Sequence, residues 1–230
     1  MIATDKFLFV HLHKSGGTFI NHAILSHIPS AKRIGYHLPY RYCKNKYQRL
    51  PVLGSVRNPW GFYISFYHFQ ANSEHPNYVY QVFSNRGQND LEATLMNMAN
   101  PQPHHFEMLR QFAPYDFVGR GVNLTKNCID EMSTKSGGWY SLLFERMYQG
   151  CEPHFLRMET LREDFNLFLA GVGISDPNFS SYILNSRKKN VTSYGHYSAY
   201  YGKVLERSIA DADSGLIQKF GYAFEDLSQH

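Results

Sequence analysis

Apolar and polar positions change period along this chain, and the changes mark out its elements. Phe7–Leu12 (FLFVHL) is mostly apolar, with aromatic and β-branched members, and predicts a buried strand. The turn His13-Lys14-Ser15-Gly16-Gly17-Thr18 follows at once. Behind it, Phe19, Ile20, Ala23, Ile24 and Ile28 fall at helical spacing. A polar connection at Ser30–Arg33 leads to a brief second strand that ends around His37 to Pro39. Leu50–Arg57 predicts a third strand, closed by Asn58-Pro59, and the aromatic run from Trp60 begins a helix with Pro59 near its first position. Residues 72–90 are polar and loop-rich, and read either as a substrate lid or as a surface insertion. Two helices are predicted in DLEATLMNMA and HHFEMLRQFA, separated by the breaker NPQP, and YDFVGRG reads as strand-like. The stretch STKSGGWYSLLFERMYQ is left unassigned. His154–Thr160 predicts a strand, and in the helix after it Leu161, Phe165, Phe168 and Leu169 share one face. The tail from Tyr197 to Tyr222 is read as helical.

Strand and helix units that alternate in this way predict an α/β fold with a mainly parallel sheet flanked by helices. Such sheets collect ligands at the carboxyl ends of their strands. Lys14 and Arg57 both lie at or just past strand ends, so they are expected to face one cleft. The sequence does not establish that the two strands are neighbours. No repeat, low-complexity stretch or composition break marks a linker, so 1–230 is read as a single domain, with 72–150 as a variable helical or loop insert.

Composition adjusts this picture only slightly. A chain of 230 residues with 17 Tyr and 17 Phe can build a sizeable core. A net charge of +4 and a pI near 8.8 suit an anionic ligand and are too mild to indicate nucleic-acid binding. Cys43, Cys128 and Cys151 are scattered and form no CxxC pair, which points to reduced thiols in a cytoplasmic protein and to no metal. No apolar run reaches the length of a membrane span, and MIATDKF lacks the apolar core of a signal peptide.

The candidate chemistry begins at Lys14. Strand, glycine turn and helix together place free backbone N–H groups and a helix N-terminus around an anion. Lys14 adds a mobile positive charge, and Ser15 and Thr18 add hydroxyls. This is not a Walker A loop, because there the lysine follows the second glycine, whereas Lys14 precedes Gly16 and Gly17. A second constellation is Arg57 at the end of its strand, with Ser65 eight residues on in the following helix. A guanidinium fork and a hydroxyl suit phosphate oxygens.

The order K-S-G-G-T resembles the 5′-phosphosulfate loop of sulfotransferases that use 3′-phosphoadenosine 5′-phosphosulfate (PAPS). RNP followed by Ser65 and the run SFYHF resembles the 3′-phosphate site of the same family. FVHLHKSGGT is similar to the form common in its carbohydrate-type members, with His13 in place of a proline. Gly35–Pro39, LRMETLREDF and the closing FGY are softer likenesses. The resemblance runs over most of the chain but is strong only at residues 7–20 and 55–69.

The resemblance implies a P-loop-NTPase-like fold and sulfuryl transfer from PAPS to an acceptor hydroxyl, leaving adenosine 3′,5′-bisphosphate, with no metal required. It implies that Lys14 stabilises the leaving oxygen and that Ser15, Gly16, Gly17, Thr18 and Phe19 hold the 5′-phosphate through their N–H groups. Arg57 and Ser65 would hold the 3′-phosphate, with Lys188 and Lys189 of a basic loop closing over it. His37 is the preferred general base, with His13 and His68 as substitutes. Glu159 is read as tying a strand to its helix. The acceptor reads as a carbohydrate, small or oligomeric, although the aromatics also suit a phenol or lipid alcohol. Phosphoryl transfer by a nucleotide kinase or NTPase, and non-catalytic anion binding, are the competing readings.

Overall fold

The structure is a computed structural model that describes residues 1–119, 122–187 and 194–225. In chain order its elements are β1 (Ile2–Ala3), β2 (Leu8–Phe9), α1 (Gly17–His27), β3 (Lys32–Arg33), β4 (Val52–Val56), α2 (Pro59–Ala71), α3 (Tyr78–Phe83) and α4 (Leu91–Ala99). They continue with α5 (Pro103–Phe112), α6 (Lys126–Ser133), α7 (Trp139–Tyr148), β5 (His154–Arg157), α8 (Leu161–Gly171), α9 (Pro177–Asn185), α10 (Lys203–Ala212) and α11 (Ser214–Phe220). The architecture is α/β, and the chain gathers into two compact units. One comprises Met1–Arg57 and Met147–Val191, the other Asn58–Arg146 and Thr192–His230.

The first unit carries a five-stranded sheet in the order β3-β1-β2-β4-β5. β2, β4 and β5 run parallel, while β1 is antiparallel to both β2 and β3. The sheet is therefore mixed, and the expected mainly parallel arrangement is corrected. The reason is local. Only Thr4–Phe7 separate β1 from β2, and so short a connection can join only antiparallel strands. Thr4 holds that turn, its Oγ1 accepting from the N–H groups of Lys6 (3.0 Å) and Phe7 (2.9 Å). The expected second strand near His37–Pro39 is instead β3, an exposed two-residue edge at Lys32–Arg33.

The core of this unit explains why α1, α8 and α9 form. Phe19, Ile20, Ala23 and Ile24 of α1 pack with Phe165, Phe168 and Leu169 of α8 and with Phe179 and Ile183 of α9. They cover Phe7, Phe9, Leu53 and Leu156 of the sheet. Leu8 and Val10, which alternate with Phe7 and Phe9, are equally shielded, so β2 is buried on both faces.

The second unit contains helices and irregular segments among its described residues, with no strand, so the strand-like reading of YDFVGRG does not hold where the segment is described. Its centre is α2, where Trp60, Phe62, Tyr63, Ile64 and Phe66 are all buried, as expected of a helix that is apolar all round. Asn58 caps it by accepting from the Trp60 N–H at 3.1 Å, with Pro59 at the first helical position. Helices α3, α6 and α9 occupy segments with no predicted element, and α7 lies in the unassigned stretch.

Candidate functional site

The site is built where β2 turns into α1. Lys14 takes a positive φ of 57° and Gly16 one of 83°, which reverses the chain and starts the helix. Each glycine has its own steric reason. A Cβ on Gly16 would lie 2.8 Å from Leu161 Cδ2 and 2.9 Å from Met158 Sδ. A Cβ on Gly17 would fall 1.8 Å from Cδ2 of the His11 ring. Ser15 is fully buried, and its Oγ donates to the Leu12 carbonyl (2.9 Å) and meets Ser55 Oγ (2.7 Å), which staples the loop to β4. Its hydroxyl is thus committed to partners inside the fold. The Thr18 side chain is exposed, whereas that of Phe19 lies in the core and its N–H already reaches the Gly16 carbonyl at 3.1 Å. The first turn of α1 carries no acidic residue and no side-chain cap. Gly17 and Thr18 lie in the first turn of α1, whose N–H groups have no acceptor within the helix.

Arg57 follows β4, and β4 pairs directly with β2. The two strand ends expected to share a cleft are neighbours. Arg57 Nη1 donates to the Lys14 carbonyl at 3.4 Å, so the guanidinium also braces the loop. The Lys14 ammonium is half-buried, and burial, with Arg57 as the second cause, lowers its pKa to about 8.

His37 is buried behind the loop with a φ of 46°. Its Nδ1 lies 2.9 Å from the His11 carbonyl, which can only accept, so Nδ1 carries the proton and Nε2 keeps the lone pair. His11 Nδ1 in turn accepts from Asn21 Nδ2 at 2.9 Å. The His13 ring stacks on His37, with centroids 3.6 Å apart and planes 13° apart, and His11 lies 4.1 Å from His37. Burial first, and His13 second, hold the pKa values of His11 and His37 well below the ordinary imidazole range. Both rings are therefore neutral at physiological pH.

Among the sequence-predicted residues, the first unit brings together Lys14, Ser15, Gly16, Gly17, Thr18, Phe19, Arg57 and His37. Ser65 belongs to the second unit, buried on α2. His68 lies there too, stacked 4.8 Å from Tyr194 and edge-on 4.9 Å from Tyr200. Lys188 and Lys189 lie outside the described residues. Asp164 ties β5 to α8: its Oδ2 accepts from the Arg157 N–H (2.9 Å) and Thr160 Oγ1 (2.8 Å).

Sequence reasoning missed Asn21, Ser55 and Tyr148. Asn21 had a detectable signal, a polar residue on the apolar face of α1. Among the described residues no group of three or more His, Cys, Asp or Glu is placed to hold a metal ion. No described helix is long and apolar enough to cross a membrane. No protein-family model, curated protein or solved structure matches the chain.

Proposed function

We propose that this protein transfers a sulfuryl group from PAPS to an acceptor hydroxyl, with a carbohydrate as the acceptor, on a P-loop-like anion site. The observation that carries the reading is the pairing of the Lys14 loop with Arg57 across adjacent parallel strands, joined at 3.4 Å. Two cations and an uncapped helix start with no acid in its first turn fit a ligand with two separated anionic groups.

In this scheme Gly17 and Thr18 orient the 5′-phosphate through their N–H groups, and Arg57 binds the 3′-phosphate. The acceptor oxygen forms a new bond to sulfur as the bond from sulfur to the phosphate oxygen breaks. Lys14 stabilises the charge that develops on that leaving oxygen. His37 takes the acceptor's proton on Nε2, its ring held by the bond from Nδ1 to the His11 carbonyl.

Thermal stabilisation and radiolabel transfer test the reading. Adenosine 3′,5′-bisphosphate should raise the melting temperature without Mg²⁺, and labelled PAPS should deliver sulfate to an oligosaccharide from an acceptor library. Stabilisation by ATP with Mg²⁺ alone would move the protein to phosphoryl transfer. Bisphosphate binding without transfer to any acceptor would make it a binding protein.

A further inference from the structure

The parallel ladder between β2 and β4 stops at a defined rung. Its register pairs Leu8 with Val52 and Phe9 with Leu53. The Leu8 N–H donates to the Pro51 carbonyl and the Val10 N–H to the Leu53 carbonyl, both at 2.9 Å. In a parallel ladder the next bond along would run from the Ser55 N–H to the Val10 carbonyl. The hydroxyl of Tyr148 takes that place. The Ser55 N–H donates to Tyr148 Oη at 2.9 Å, and Oη lies 3.0 Å from the Ser55 carbonyl and 3.3 Å from the Val10 carbonyl, able to donate to either.

The insertion is built in. Tyr148 is buried, and its ring lies edge-on to Phe155 at 5.0 Å. It rests over Gly54, where a Cβ would come within 3.0 Å of Tyr148 Cε1 and 2.9 Å of Phe155 Cε1. On its other side β4 stays paired with β5 as far as Val56 and Arg157. The sheet therefore opens between β2 and β4 at the end where β2 leads into the Lys14 loop and β4 into Arg57.

We propose that Tyr148 is a positioning residue whose hydroxyl wedges β2 from β4 and so sets the distance between the Lys14 loop and Arg57. This deepens, and rests on, the reading of those two places as a pair of phosphate sites. The ligand class it selects is a nucleotide with phosphates on both the 3′ and 5′ positions, because a fixed gap favours two linked anions of matching span.

Two measurements on the full chain test it with Tyr148→Phe, which keeps the ring and removes the hydroxyl. The first is the through-hydrogen-bond NMR coupling between Ser55 N and Val10 C′. It should be absent in the unmodified protein and present in Tyr148→Phe, where the ladder closes by one rung. A coupling already present in the unmodified protein overturns the wedge, even if the variant fails to fold. Its continued absence in a folded variant overturns it too.

The second measurement compares affinity for adenosine 3′,5′-bisphosphate with that for adenosine 5′-monophosphate. The unmodified protein should prefer the bisphosphate by about tenfold or more, and Tyr148→Phe should lose most of that preference with a melting temperature changed by only a few degrees. A variant that keeps the full preference removes Tyr148 from positioning. If the unmodified protein shows no preference, the two-phosphate reading fails, while the coupling still decides whether the hydroxyl separates the strands.

Discussion

Lys14→Met should make the protein more stable at neutral pH while it loses anion binding. An unfolded chain holds this lysine at its ordinary pKa of 10.5, whereas in the folded protein burial and then Arg57 lower it to about 8. The folded state thus binds fewer protons than the unfolded state between those values, and stability rises with pH across that window. Below pH 8 the fold carries the full cost of a half-buried charge. A lowering of about 2.5 units at about 1.4 kcal/mol per unit gives roughly 3 kcal/mol, an upper bound because the side chain keeps some contact with water. By pH 10 the same linkage leaves only about 1 kcal/mol. Methionine removes the charge and keeps the length, and its packing contribution does not depend on pH. Chemical denaturation of both proteins at pH 7 and pH 10 isolates the effect. The stability difference, variant minus wild type, should shrink by about 2 kcal/mol as pH rises. An equal difference at the two pH values would refute the claim that burial and Arg57 draw down the Lys14 pKa.

Three further outcomes follow from named contacts. Gly17→Ala places a methyl inside the His11 ring, so that ring must move, Asn21 loses its hydrogen bond to it and the His37 ring loses its neighbour; a loss of about 1–3 kcal/mol in denaturant titration is expected, together with a large fall in turnover, and a fully stable, active variant would contradict the geometry. His37→Gln should abolish sulfate transfer from labelled PAPS while bisphosphate affinity stays within about twofold, since the ring is assigned to the acceptor's proton and to no phosphate. Asp213, where α10 meets α11, has its pKa raised by burial from 3.8 to about 6, against the opposing hydrogen bonds from Ser141 and Tyr63. Its stabilising contribution is whole below pH 3.8 and is lost as pH rises through about 6, so Asp213→Asn should gain about 2 kcal/mol relative to wild type between pH 4 and pH 8, and a pH-independent difference in melting experiments would exclude it.

The parts of this fold that were legible in the sequence are those in which one chemical pattern decides one element. Apolar runs ending at charged residues placed Lys14 and Arg57 at strand ends, and the parallel pairing of β2 with β4 makes them neighbours. β1 was hidden because a two-residue strand has no period, and its antiparallel pairing depends on a turn held by the Thr4 hydroxyl. α9 was not predicted, although its signals were present: Asp176 as cap, Pro177 at its first turn, and Phe179 and Ile183 four apart. Tyr148 gave no signal, because its effect passes through one hydroxyl to strands that lie far from it in sequence.

The glycine pair carries the sharper lesson. In sequence, Gly16 and Gly17 suggest an anion loop. In the fold, the β5–α8 junction and the His11 ring already require both glycines with no ligand at all. The Ser15 hydroxyl is likewise explained by its bonds to Leu12 and Ser55. The two cations beside the loop are what favour an anion there. A half-buried lysine beside an arginine, its pKa drawn down toward 8 and no acid in the adjoining helix turn, lowers the stability of the fold at neutral pH. A bound polyanion would offset that cost by raising the Lys14 pKa back toward its ordinary value of 10.5, and in the proposed reaction the same charge would stabilise the oxygen that leaves.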